Sequence, residues 1–257
     1  MTPSATHLVL IPSYNPGPRL IETVKQALAC WRPVWVVSDG STDESMAAVK
    51  DLARTEAGLR IIVRTANGGK GEAVLTGAEA AIDAGFSHAL VMDADGQHPA
   101  DRIADFMTAS RAAPDAMVLG RPVFGPEAPL ARLQGRKLSV WLVHAEIGGA
   151  GIDDPLFGFR VYPLRSLVNV LRATGGARHY DFDPEAAVRL FWDGTPAINI
   201  PANCRYLSRE EGGVSHFHYL RDNVRMVWLH TRLIAELLLW RWPAVLRVRR
   251  RRQPSLS

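Results

Sequence analysis

Cysteine is nearly missing. Cys30 and Cys204 are the two cysteines among 257 residues. Two thiols make no disulfide framework and lack zinc-site spacing, so a reducing compartment is the simplest setting. No run of about eighteen uncharged apolar residues occurs, so no ordinary transmembrane helix is expected. Met1 to Pro12 has neither a basic n-region nor a long apolar core, and is not read as a secretory signal. There is no Gly-x4-Gly-Lys-Ser/Thr loop, and no Gly-x-Gly-x-x-Gly follows the first apolar run, which excludes a Walker loop and a dinucleotide fingerprint. What is present is an ordinary globular composition, 47% apolar and 22% charged, which excludes disorder and collagen-like structure.

The net charge of +4 is unevenly spread. From Tyr219 to Ser257 there are nine Arg and no Lys against Asp222 and Glu236, a net of +7, which leaves −3 for the rest. An acidic body with a basic tail points to a polyanionic surface, nucleic acid or anionic lipid. No nucleic-acid recognition motif accompanies the arginines, so no nucleic acid is expected as a partner.

The first half alternates short apolar runs with amphipathic stretches. Runs at 7–11, 34–37, 59–63, 89–92 and 116–119 read as strands. Segments 19–31, 43–57, 71–84 and 99–112 read as helices. That order predicts an α/β fold, a mostly parallel sheet covered on both faces, with ligands beyond the carboxyl ends of its strands. The second half is less regular. It offers helices at 130–147 and 184–192, short strands at 157–162 and 197–201, a glycine-rich loop at 148–154, a polar loop at 209–216, and a long helix from His218 to about Trp242.

The sharpest chemical signal is Asp93-Ala94-Asp95 at the end of the fourth run. Two carboxylates two residues apart can share one hard divalent cation, magnesium or manganese, leaving positions for a diphosphate. Gln97 could add a neutral oxygen. An EF-hand is excluded, because the twelfth loop position is Ala104. The competing reading is a solvated turn before Pro99. Three other polar clusters end strands or open helices: Pro12-Ser13-Tyr14-Asn15, Ser38-Asp39-Gly40-Ser41-Thr42-Asp43 and Asn67-Gly68-Gly69-Lys70-Gly71-Glu72.

In this order and spacing the four motifs resemble family 2 glycosyltransferases of the GT-A, Rossmann-like fold. They look most like the polyprenyl-phosphate (dolichyl-phosphate) mannosyl- and glucosyltransferase branch. The resemblance implies a metal-dependent, inverting transfer from a UDP- or GDP-sugar to a lipid-linked phosphate or other membrane acceptor. It implies donor contacts from Pro12, Tyr14, Asn15, Asp39, Lys70 and Asp93, and a Mg2+ or Mn2+ site at Asp93, Asp95 and Gln97. Residues 1–217 would form the transferase domain, 7–120 its nucleotide-sugar and metal half and 121–217 its acceptor half. Two departures stand out: Pro16 where an acidic residue usually follows the Asn, and Ser38 where the second motif often has a first Asp.

On the acceptor side, Asp154-Pro155-Leu156-Phe157-Gly158-Phe159-Arg160 resembles the branch's Asp-Pro-x-Ser-Gly-Phe segment, with Phe157 in place of a small residue. His179 to Glu185 sits where the branch carries its acidic acceptor motif, so Asp183 or Asp181 is the candidate base. Arg121, Arg136 and Arg160 are cation candidates for an acceptor phosphate. Gly212 to His216 resembles the loop that closes on the donor diphosphate, with His216 where Lys often stands. Residues 218–257 are expected as an amphipathic helix and Arg-rich tail on an anionic membrane surface, burying Trp228, Leu233, Leu237 and Trp240 at the acyl boundary. The enzyme would then be cytoplasmic and peripheral to the inner membrane face. Two rivals remain: a GT-A-like surface-binding module without turnover, and a sugar-nucleotide pyrophosphorylase, whose glycine-rich N-terminal signature is missing.

Overall fold

The computed structural model describes residues 2–125, 130–176, 178–179, 181–205 and 219–246. Its core is a seven-stranded sheet. The continuous apolar runs become strands β1 (His7–Ser13), β2 (Val34–Asp39), β3 (Leu59–Arg64), β4 (His88–Val91) and β5 (Met117–Phe124). Two shorter segments, β6 (Arg160–Pro163) and β7 (Ala197–Cys204), complete the order β3-β2-β1-β4-β6-β5-β7. Only β6 runs against its neighbours β4 and β5. β1, β2 and β4 are buried along their whole length, as strands covered on both faces must be.

Alternate strand residues feed two apolar layers, as period-two side chains require. Val9, Ile11, Val34 and Val36 pack with helices α1 (Arg19–Cys30), α2 (Ser45–Ala53) and α4 (Ile103–Ala112). Helix α1 shows why: Leu20, Thr23, Val24, Ala27 and Leu28 are buried at helical spacing. Leu8, Leu10, Trp35 and Val37 face the opposite layer. It contains helices α3 (Lys70–Asp83), α5 (Leu130–Glu146), α6 (Leu164–Ala173), α7 (Phe182–Trp192) and α8 (Tyr219–Glu236). Every residue of α7 is buried.

The C-terminal helix departs from expectation. Leu229 and Leu233 are 1% and 0% exposed and belong to the core, so Leu233 is not a membrane contact; Leu237 is partly buried against the same layer. The polar bonds of α8 explain this seat. Glu236 takes both terminal nitrogens of Arg189, Arg232 reaches Glu185, and His230 Nδ1 lies 2.6 Å from Glu146 Oε1. Beyond Glu236 the helix continues through a π turn, Leu237–Arg241, to residue 246. Among the described residues no helix is long and apolar enough to cross a membrane. Arg247 to Arg252 lie outside the described residues.

Candidate active site

The carboxyl ends of the parallel strands collect the polar motifs. At the end of β2, Asp39 is 1% exposed. Its carboxylate accepts the Gly69 N–H at 2.7 Å, the Gly68 N–H at 3.1 Å and Arg64 Nε at 2.8 Å. Asp39 therefore holds the 67–71 loop in place. Asn15 acts in the same way between the first two motifs. Its Oδ1 accepts the N–H of Thr42 at 2.7 Å and of Asp43 at 3.2 Å. Tyr14 beside it is 39% exposed, and Pro12 is buried within β1.

The loop so held delivers Lys70, the first residue of α3. Its ammonium lies 2.7 Å from Asp93 Oδ1 and 2.7 Å from Asp183 Oδ2. One cation thus joins the end of β4 to the start of α7. Burial works against charge on Lys70 and Asp93, but opposite neighbours outweigh it. Lys70 is held above its usual pKa by Asp183 and Asp93, and Asp93 is held down at about 2, chiefly by Lys70. Asp93 nonetheless keeps about a third of its side chain open to the cleft, at 35%. Asp183 is 6% exposed, and its Oδ1 is buried without a hydrogen-bond partner.

Asp95 has the opposite balance. Burial and then the charge of Asp93 push its carboxyl up to about 6. Its Oδ1 accepts the Gln97 N–H at 3.0 Å. Gln97 also borders a cavity of about 460 Å³ whose lining includes neither Asp93 nor Asp95. The donor chemistry fits a divalent cation: two hard carboxylates sit together, and for Asp95 burial and the charge of Asp93 outweigh the attraction of Lys70. Among the described residues no three His, Cys, Asp or Glu side chains group to hold a metal by themselves. The remaining positions would fall to substrate oxygens, as is common for magnesium.

Two residues outside the sequence-based site complete this geometry. His98 Nδ1 accepts the Asp93 N–H at 2.9 Å, which makes Nε2 the protonated nitrogen of the neutral ring. Burial keeps that ring neutral, with its pKa down at about 4. The ring meets Phe157 and Phe159 edge-on, with centroids 4.8 and 5.5 Å away. Phe157, the large residue where the branch has a small one, finds room against Gly120, where any Cβ would lie 2.6 Å from the phenyl ring. Gly158 is the second. A Cβ there would stand 2.5 Å from Lys70 Nζ, 3.3 Å from Asp93 Oδ2 and 3.4 Å from Asp183 Oδ1. Both were visible as letters of the motifs, but their roles depend on contacts across the sheet.

The arginines separate. Arg160 is fully buried, and its guanidinium donates to the carbonyls of Phe157, Asp183 and Asp154 and to the Tyr162 hydroxyl. It braces the 154–157 loop and the start of α7, and is corrected from acceptor ligand to internal tie. Arg136 is paired with Asp154, and its guanidinium lies 5.0 Å from the Phe124 ring. Arg121 is half exposed at 57%, with Asp153 at 3.8 Å. Asp181 Oδ1 accepts the His179 N–H at 3.0 Å, a turn-capping bond. Arg178 is an addition: its carbonyl accepts the Gly71 N–H at 2.8 Å and its side chain meets Glu72 at 2.7 Å, tying the 178–183 segment to the Lys70 loop. His216 lies outside the described residues.

A mostly parallel sheet with an acidic turn after β4, a glycine loop before α3 and an acid at the start of α7 defines a GT-A transferase scaffold. The chain belongs to glycosyl transferase family 2, whose model matches residues 8–164. It is 28% identical over 217 residues to the polyprenol monophosphomannose synthase of Mycolicibacterium smegmatis, covering 82% of this chain and 80% of that one. It is 25% identical over 214 residues to the undecaprenyl-phosphate mannosyltransferase of Micrococcus luteus, covering 80% and 85%. Among solved structures, glucosyl-3-phosphoglycerate synthase from Mycobacterium tuberculosis, in complex with Mn2+, uridine-diphosphate-glucose and phosphoglyceric acid, aligns with a TM-score of 0.55 at 16% identity, covering 91% of this chain and 78% of that one. That likeness concerns the fold. The pyrophosphorylase reading falls with the family assignment.

Proposed function

We propose that this family 2 glycosyltransferase moves a hexosyl group from a UDP- or GDP-sugar to a polyprenyl phosphate, with inversion at the anomeric carbon. The observation that carries the reading is the Asp93–Lys70–Asp183 cluster, in which both halves of the cleft converge on one cation. The names of the two mannosyl-transferring relatives support the acceptor class.

Asp93 and Asp95, with Gln97 nearby, would hold magnesium or manganese, which supplies positive charge for the departing nucleoside diphosphate. Lys70 adds a second positive charge on the same side. Tyr14 offers an exposed ring to the base, while Asn15 and Asp39 hold the loops around it. Asp183, with one oxygen on Lys70 and the other unpartnered, faces the acceptor. A phosphate monoester has a second pKa of about 6 and is mostly ionised at neutral pH, so Asp183 then orients the nucleophile and need not deprotonate it. For a hydroxyl acceptor it would take the proton. Arg121 and Arg136 are the cations proposed for the acceptor phosphate, and His216 is proposed to close on the donor. Residues 7–120 serve the donor and 121–217 the acceptor. Work at the cytoplasmic face of an anionic membrane is consistent with the two free thiols and the basic 218–257 segment.

The test is transfer of radiolabelled sugar from a panel of UDP- and GDP-sugars to a short-chain polyprenyl phosphate, with Mg2+, with Mn2+ and with excess EDTA. Metal-dependent formation of a mild-acid-labile lipid product is expected. Absence of lipid product with every donor, or full activity in EDTA, would overturn the corresponding part of the reading.

A further inference from the structure

The inner side of α8 is buried, and its outer side is unusual. Between residues 224 and 246 ten positions are exposed, and Thr231 alone among them is polar. None is charged, because Arg225, Arg232, Glu236 and Arg241 are partly buried and bonded to groups on the protein. Val224, Val227, Trp228, Leu238, Leu239 and Trp242 are between 54% and 71% exposed. Positions 224, 227, 231, 235, 238, 242 and 246 recur every three or four residues, so the exposed side forms one stripe along about 33 Å of helix, with Thr231 and Ala235 between its two groups of large apolar residues. A water-facing helix ordinarily carries its charges on this side. Here, beyond the exposed Arg221 in the first turn, the charges turn inward and the apolar groups turn outward.

We infer that this stripe is a docking surface for an anionic membrane, a reading that rests on the lipid-phosphate acceptor proposed above. Three observations select that occupant. Trp228, Trp240 and Trp242 mark the stripe, and tryptophan suits the level of the headgroups. The chain continues past residue 246 with Arg247 and Arg249 to Arg252, charge that complements anionic lipid. The stripe is also rigidly oriented. Glu236 holds Arg189 of α7, and Arg232 holds Glu185, two residues from Asp183. A membrane seated on α8 therefore lies in a fixed relation to the helix that bears the acceptor-side acid. The contact residues differ from those predicted by periodicity: Leu233 faces the core, while Val224, Val227, Leu239 and Trp242 join Trp228 on the outer face.

The full chain should be sedimented with vesicles of phosphatidylcholine alone and of phosphatidylcholine with phosphatidylglycerol, at low and high salt. The parent is expected to pellet with the anionic vesicles and less so at high salt. Trp228→Glu combined with Leu239→Glu should lower the partition coefficient at least tenfold. Its melting temperature, and its transfer to a short-chain, water-soluble polyprenyl phosphate, should be unchanged. Val227→Gln with Leu238→Gln provides a second, uncharged disruption. The inference is overturned if the parent stays in the supernatant with anionic vesicles at low salt, or if both double variants pellet like the parent. It is also overturned if the parent is a lipid-free dimer that the variants disperse, since a second copy would then cover the stripe. A parent that pellets but transfers nothing to the soluble acceptor would refute the functional reading and leave the surface standing.

Discussion

The carboxyl ends of β2 and β4 each carry an aspartate and use it in opposite ways. Asp39 closes β2, is buried, and has its oxygens filled by two backbone N–H groups and Arg64. Asp93 follows β4, stays partly open, and shares one lysine with Asp183. A saturated carboxylate shapes a site, and an under-saturated one can still bind something. Asp95 lies at the extreme, a carboxyl whose charge is opposed by burial and by its neighbour.

The largest effect should come from the β4 end. Asp95→Ala is expected to reduce transfer by about 10³ or more, through loss of charge stabilisation of the leaving group. The metal-free protein should be no less stable, because a carboxylate with a raised pKa is a cost to the fold at pH 7. Thermal melts beside turnover assays decide it, and a variant with parental activity removes Asp95 from the site. Next comes Asp183→Asn. A loss of about 10² is expected with a hydroxyl acceptor, and a smaller one, carried by acceptor KM, with a phosphate. Parental rates on every accepted substrate would take Asp183 out of the chemistry.

Asp39→Asn should behave as the contrast requires. It leaves Arg64 without its carboxylate and weakens two backbone bonds, a cost of about 1–3 kcal/mol. Chemical denaturation should report that loss, with donor KM raised and kcat largely kept; a large kcat defect with parental stability would erase the distinction between the two ends. The smallest effect on activity lies at the opposite ends of the strands, where stability alone should change. His7 in β1 is paired in register with His88 in β4, and their rings stack at 4.4 Å. Burial, then His88 and Arg111, lower the His7 pKa from 6.5 to about 4. The unfolded chain therefore binds the extra proton between those values, so stability present above about pH 6.5 is lost as pH falls towards 4. The contribution is roughly 2–3 kcal/mol. Urea unfolding at pH 7 and 4.5 should show a smaller pH dependence in His7→Gln; an equal slope refutes it.

The five apolar runs of the first half were readable because strands buried on both faces leave uninterrupted apolar letters, each followed by a polar cluster. The acidic pair was readable for the same reason, as polar residues where ligands must bind, whereas the candidate base came only from the resemblance of the 179–185 segment. What could not be read was partnership. Asp39 binds backbone N–H groups, which no letter records, and Arg160 binds three carbonyls. Helix α6 went unread although Leu164, Leu167, Val168 and Leu171 have helical spacing, because it follows β6 without an intervening turn. The start of β6 shifted from 157 to 160 because Phe157 and Phe159 pack on His98 ahead of the strand. The tail is apolar around much of its circumference, so periodicity alone did not choose its inner side. Glu146, Glu185 and Arg189, far away in sequence, made that choice.

The reversed direction of β6 decides where the segment before it arrives. Its first residue, Arg160, is opposite Val91, so the segment before it arrives where β4 ends. A parallel strand would have sent that segment to the far side of the sheet. As built, the segment ends beside the Asp93 turn, with Gly158 against Lys70 and Asp93 and with Arg160 holding the carbonyls of Asp154 and Phe157. One reversed strand thus brings a segment from late in the chain to the same edge of the sheet as an acid of the first half.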